Sequence, residues 1–168
     1  MKNIYLVGFM GTGKTATAKL IAKTLNRKFL DLDDLITTKE KKSITKIFEE
    51  KGEVYFRKVE KEIVKEISAQ KDLIVACGGG VVIDKDNLDN LKKSGVVICL
   101  TSTPEIILER TKKFNHRPLL NVDNPIEKIK ELLIKREPFY NQAHYILDTT
   151  KLTPAQTKDE VLKLIKND

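Results

Sequence analysis

The chain has 168 residues, 40% of them hydrophobic and 33% charged, with a formal charge of +7 and a pI near 9.3. That length is one domain's worth and can bury a core without disulfide or metal staples. No low-complexity tract marks a linker, no apolar run approaches bilayer length, and glycines interrupt the short N-terminal apolar stretch before it reads as a signal peptide.

Residues 2–7 read as a buried strand. Directly after them, Gly8-Phe9-Met10-Gly11-Thr12-Gly13-Lys14-Thr15 matches the phosphate-loop pattern G-x-x-x-x-G-K-[ST] in full. Ala18, Ile21, Ala22 and Leu25 follow at helical spacing, so the loop has the strand-to-helix setting that its chemistry requires. The glycines let backbone N–H groups converge on phosphate oxygens at a positive helix end. Lys14 is placed to reach the outer phosphates, and the Thr15 hydroxyl to hold Mg²⁺. This is a nucleoside triphosphate site. The absence of D-x-x-G and N-K-x-D motifs argues against a GTPase.

A short second strand at 29–31 leads into "FLDLDDL". Asp31 and Asp33, two residues apart at a strand end, are expected on the same side of the sheet. One carboxylate could orient Mg²⁺ while the other accepts a proton from, or aligns, an attacking hydroxyl. The competing reading is that Asp33 or Asp34 only caps the next helix. Two helical stretches are expected over about 34–70. A third strand at 73–77 ends in Gly78-Gly79-Gly80, an uncommon triplet that offers no side chain to pack.

A helix near 85–93 and a fourth strand at 96–100 come next. Thr103-Pro104 opens another helix with a cap and a first-turn proline. Residues 111–125 form the one long irregular stretch, of a length that is functional or disordered in compact domains. Asn124-Pro125-Ile126-Glu127 starts a helix, 144–147 a fifth strand, and Thr153-Pro154-Ala155-Gln156 the last helix. Strand–helix alternation throughout predicts an α/β fold with a parallel sheet covered on both faces. Cys77 and Cys99 lie in apolar runs and read as buried, reduced thiols of a cytosolic protein.

Only 5 of the 31 basic residues are arginine. Where lysine is so freely used, arginine marks positions that need its flat bidentate fork. Arg57, Arg110, Arg117 and Arg136 are therefore site candidates, with Arg27, in a turn, set aside. Arg136 falls in line with Ile126, Ile129, Leu133 and Tyr140, so it points inward and needs an anion, either a structural carboxylate or a ligand's. Arg57 has Glu60 one turn later, which could hold its fork or be an ordinary surface pair. Arg117 is either a long-loop cation that meets a ligand or an exposed side chain, with His116 beside it a surface residue. Arg110 is either a ligand contact or a surface residue.

The phosphate loop, "DLD", "F-R-x-x-E", the glycine triplet, "RPLL" and "KRE-x-x-Y" occur in the order and spacing of the shikimate kinases, and this resemblance covers essentially the whole chain. It implies a three-layer P-loop kinase fold of the nucleoside monophosphate kinase group, with a five-stranded parallel sheet ordered 2-3-1-4-5, helices on both faces and a lid. One domain over 1–168 would carry an acceptor-binding region at about 32–60 and the lid at about 111–124. The implied reaction moves the γ-phosphoryl of MgATP to the 3-hydroxyl of shikimate, in a cytoplasmic, monomeric enzyme without nucleic-acid or membrane partners.

Carried onto matching positions, the resemblance makes Asp33, Lys14 and Arg117 catalytic. Gly11, Thr12, Gly13, Lys14, Thr15, Ala16, Arg110, Arg117 and Pro154 would bind the nucleotide, with Thr15 and Asp31 at the metal. Asp33, Arg57, Gly78, Gly79, Gly80 and Arg136 would bind shikimate, with Phe48 and Phe56 lining the pocket. Two rival readings remain: another small-molecule kinase of the same fold, acting on gluconate or a nucleotide, and a nucleotide-dependent nucleic-acid-binding module suggested by charge alone. Against the second, the lysines interleave with glutamates on helix faces and no aromatic-rich basic stripe is present.

Overall fold

A computed structural model describes residues 2–113 and 120–166. Five strands, β1 (Asn3–Val7), β2 (Lys28–Asp31), β3 (Leu73–Ala76), β4 (Gly95–Thr101) and β5 (Tyr145–Asp148), form one parallel sheet in the order β2-β3-β1-β4-β5. The helices are α1 (Lys14–Leu25), α2 (Leu32–Glu40), α3 (Ile44–Ser68), α4 (Lys85–Ser94), α5 (Pro104–Thr111), α6 (Pro125–Tyr140) and α7 (Pro154–Lys166), with a 3-10 turn at Val81–Ile83.

The two-residue period of the strands divides the core. Ile4 and Leu6 of β1 face α1 and α7 with Ile74, Ala76, Ile98 and Leu100. Tyr5 and Val7 face α2 to α6 with Val75, Val97 and Cys99. Each face is apolar because each is covered, which gives three layers. The caps expected from sequence are in place: Thr103, Asn124 and Thr153 accept from the amides of Ile106, Glu127 and Gln156.

Two local expectations change. Asp31 ends β2 and N-caps α2 by accepting from the Asp33 amide at 3.0 Å, so Asp33 sits in a helical first turn. The same-side-of-the-sheet argument for this pair fails, because strand alternation stops at Leu32. The second change is a break inside α3 at Gly52, whose φ of 80° and ψ of 174° suit glycine alone. Phe48 and Phe56 lie on either side of this kink, with ring centroids 4.7 Å apart. Arg27 is structural: it donates to the Lys2 carbonyl and pairs with Asp72 at 3.6 Å. No helix among the described residues is long and apolar enough to cross a membrane.

Candidate active site

The site lies at the carboxyl ends of β1, β2 and β3, where open α/β sheets bind ligands. After β1 the chain turns sharply through Gly8 (φ 130°), Gly11 (φ 77°) and Gly13 (φ 89°) into α1. A Cβ on Gly8 would run into the Leu100 carbonyl, and one on Gly11 would come within 2.9 Å of the Thr111 methyl. Lys14 donates to the Gly8 and Phe9 carbonyls, at 2.8 Å each. The Thr15 hydroxyl donates to Asp31 Oδ2 at 2.8 Å, so the two proposed metal ligands are already side by side.

A cleft of about 320 Å³ runs beside the loop, lined by Gly11, Gly13, Thr17, Arg110, Pro154 and Thr157. Arg110 spans it. Its guanidinium donates to the Gly11 carbonyl at 3.3 Å, to the Thr149 hydroxyl at 3.2 Å and to the Thr149 carbonyl at 2.8 Å. Thr149, almost fully buried, also lies within hydrogen-bond reach of the Thr12 and Thr101 carbonyls. Phosphate loop, α5 and the loop before Pro154 are thereby locked together.

On the other side of the loop, each glycine of the triplet faces a different charge. A Cβ on Gly78 would lie 3.2 Å from Asp33 Oδ1 and 3.3 Å from Glu60 Oε2. One on Gly79 would lie 3.2 Å from the Arg136 guanidinium, and one on Gly80 would overlap that of Arg57, 2.7 Å from Nη1. Three consecutive positions without side chains thus leave open a wall that is acidic at one end and has two guanidinium groups at the other.

The supports of this wall are buried, apart from the half-buried Arg57. Arg57 donates to Glu60 at 2.8 Å and lies over the Phe56 ring at 5.2 Å. Burial holds the Glu60 carboxyl above the usual carboxylate range, against the pull of Arg57. Arg136, 7% exposed, stacks over Phe9 at 5.5 Å, and no carboxylate pairs with it among the described residues. The Tyr140 hydroxyl donates to the Gly79 carbonyl at 2.7 Å, and burial pushes its pKa up to about 12, so it stays a phenol. Cys77 is a buried thiol pushed up by that burial, hence inert as a nucleophile.

Comparison with known proteins decides between kinases that share this fold. The shikimate kinase family model matches residues 10–166. A shikimate kinase of Thermodesulfovibrio yellowstonii is 47% identical over 97% of this chain and 94% of its own. The chain belongs to the shikimate kinase family. It is accordingly an ATP-dependent kinase. The structure of Acinetobacter baumannii shikimate kinase in complex with shikimate superposes with a TM-score of 0.95 at 40% identity, covering 99% of this chain and 94% of that one. A gluconokinase of Sinorhizobium meliloti, at a TM-score of 0.65 and 15% identity, shares the fold alone.

Of the residues singled out from sequence, this shikimate kinase chain brings Asp33, Arg57, Arg136 and the three glycines to one wall, and Lys14, Thr15 and Asp31 to the junction beside it. Arg110 and Pro154 line the separate cleft beside the phosphate loop. Arg117, His116 and the middle of the expected lid lie outside the described residues; Leu120, after them, packs on the core. Sequence reading does not single out Phe9 as the bed of Arg136, nor Thr149. Phe9 could have been found as an aromatic within the loop, but no local pattern marks Thr149.

Proposed function

We propose that this chain transfers the γ-phosphoryl group of ATP to the 3-hydroxyl of shikimate, giving shikimate 3-phosphate and ADP. The charge sequence along the glycine triplet carries the reading, because a ligand laid on it needs a hydroxyl at the Asp33 end and a carboxylate at the Arg57 and Arg136 end. A carboxylated cyclohexene triol meets that demand, and a relative 40% identical binds shikimate.

In this reading the loop amides and Lys14 hold the phosphates in line with the acceptor and stabilise charge spreading on the moving group. Asp33 aligns the acceptor hydroxyl or takes its proton. Thr15 and Asp31 would hold Mg²⁺, since a hydroxyl and a carboxylate in contact, completed by phosphate oxygens and waters, are the hard oxygen set that ion takes. Bound there, the ion neutralises charge on the phosphates. Arg117 is assigned to the transferring phosphoryl from the lid, where closure would exclude water. The enzyme is read as a cytoplasmic monomer; two free, buried cysteines suit a reducing compartment.

A coupled assay of ADP release with MgATP tests the proposal. Turnover is expected on shikimate and not on gluconate or a nucleoside monophosphate; preference for either of the latter overturns the assignment. Glu60 adds a pH signature. Its raised pKa means it takes up a proton, as pH falls, before an ordinary glutamate near 4.3 would. The grip on Arg57 is complete above that pKa and weakens below it, so KM for shikimate should rise on the acid side. Glu60→Gln should raise KM at neutral pH by about 5- to 10-fold and flatten the acid rise. Identical KM profiles in the two proteins would remove Glu60 from the site.

A further inference from the structure

Three glycines in a row are the least self-supporting stretch a chain can offer, yet residues 78–80 form a wall that has to hold one shape. Their carbonyls show how it is held. Gly78 accepts from the Val81 amide at 3.2 Å and Gly80 from the Ile83 amide at 3.1 Å, both within the local turn. The Gly79 carbonyl accepts from the Tyr140 hydroxyl at 2.7 Å, across a separation of 61 residues. Of these three bonds, only the last reaches another element, α6.

That helix also carries Arg136. Tyr140 lies one turn further along it, so the two side chains share a face. Arg136 Nη1 in turn stands 3.2 Å from where a Gly79 Cβ would be. Both residues are buried. Burial raises the pKa of the phenol and the Arg136 guanidinium opposes the rise, so the cation bears on the same oxygen. The peptide bond is planar, so fixing its carbonyl fixes the Gly79–Gly80 unit as a whole.

We infer that Tyr140 is a positioning residue for the acceptor: its hydroxyl sets the spacing between the glycine wall and Arg136, and so the fit of a carboxylate there. The inference rests on reading this wall as the shikimate site. Without the hydroxyl the glycines regain their freedom, and Arg136 faces a wall at no fixed distance.

Tyr140→Phe keeps the ring in the core and removes only the hydrogen bond. Leaving the Gly79 carbonyl unpaired should lower Tm by about 2–8 °C, with the chain still folded. KM for shikimate should rise about 5- to 10-fold, while kcat and KM for ATP stay close to the parent's. A purely structural hydroxyl would move Tm and leave KM for shikimate alone. In an Arg136→Lys background the same substitution should raise KM by less than about twofold, because the group it positions is already gone. An unchanged KM for shikimate in Tyr140→Phe, an equal rise in KM for ATP, or fully additive losses in the double variant overturns the inference. Failure of the unaltered chain to turn over shikimate would instead sink the acceptor assignment, and this inference with it.

Discussion

Asp33→Asn is expected to lower kcat by about 10²- to 10⁴-fold while the chain stays folded. The substitution preserves size, and the capping bond at this position uses the Asp33 amide, which asparagine retains. The stability at risk is the favourable placing of a negative charge in a helix's first turn, about 0.3–1 kcal/mol. What is lost is the carboxylate at the open Gly78 end of the wall, the group that would align or deprotonate the acceptor hydroxyl. Binding of ATP, assigned here to the phosphate loop and the Arg110 cleft, should be unaffected. Steady-state kinetics with shikimate and a thermal melt check both halves of the statement. A kcat within tenfold of the parent would take Asp33 out of the reaction.

Gly80→Ala should raise KM for shikimate by about 10- to 100-fold, the scale of losing charge-assisted hydrogen bonds, with KM for ATP and Tm close to the parent's. The backbone at Gly80 (φ −103°, ψ 2°) is open to any residue, so alanine adds no conformational strain. The new methyl would meet the end of the Arg57 side chain, 2.7 Å from Nη1 and 2.8 Å from Cζ. A guanidinium on a flexible stem yields where a backbone would not, so the cost falls on the position of Arg57 and not on the fold. Moving it gives up the bond to Glu60 and the seat over Phe56. The same change at Gly8 would press on the Leu100 carbonyl, which cannot step aside. An unchanged KM for shikimate in Gly80→Ala would show that Arg57 does not hold the acceptor.

Local chemistry was the legible part of this chain. The phosphate loop, the helix caps at Thr103, Asn124 and Thr153, and the strand–helix alternation each rest on residues close in sequence, and each is present in the fold. The inward course of Arg136 followed from helical spacing, and the Arg57–Glu60 pair from a separation of three. Strand order came from family resemblance, since alternation alone leaves it open. Asp31 and Asp33 went astray because strand geometry was carried two residues past its end. The Gly52 break was hidden because a lone glycine within a helical pattern is often tolerated without a kink. Thr149 and the Phe9–Arg136 stack depend on segments more than 100 residues apart, which no window of periodicity reaches.

The central place of β1 bears on how the chain comes off the ribosome. β1 pairs only with β3 and β4, whose first residues are Leu73 and Gly95. At ordinary synthesis rates the second of these neighbours arrives roughly 5–20 s after β1 itself. Through that interval a wholly buried strand, with its phosphate loop attached, has no complete bed to lie in. A fragment ending after α3 would hold β1 and β2 but neither of β1's partners, and so would have no sheet to join.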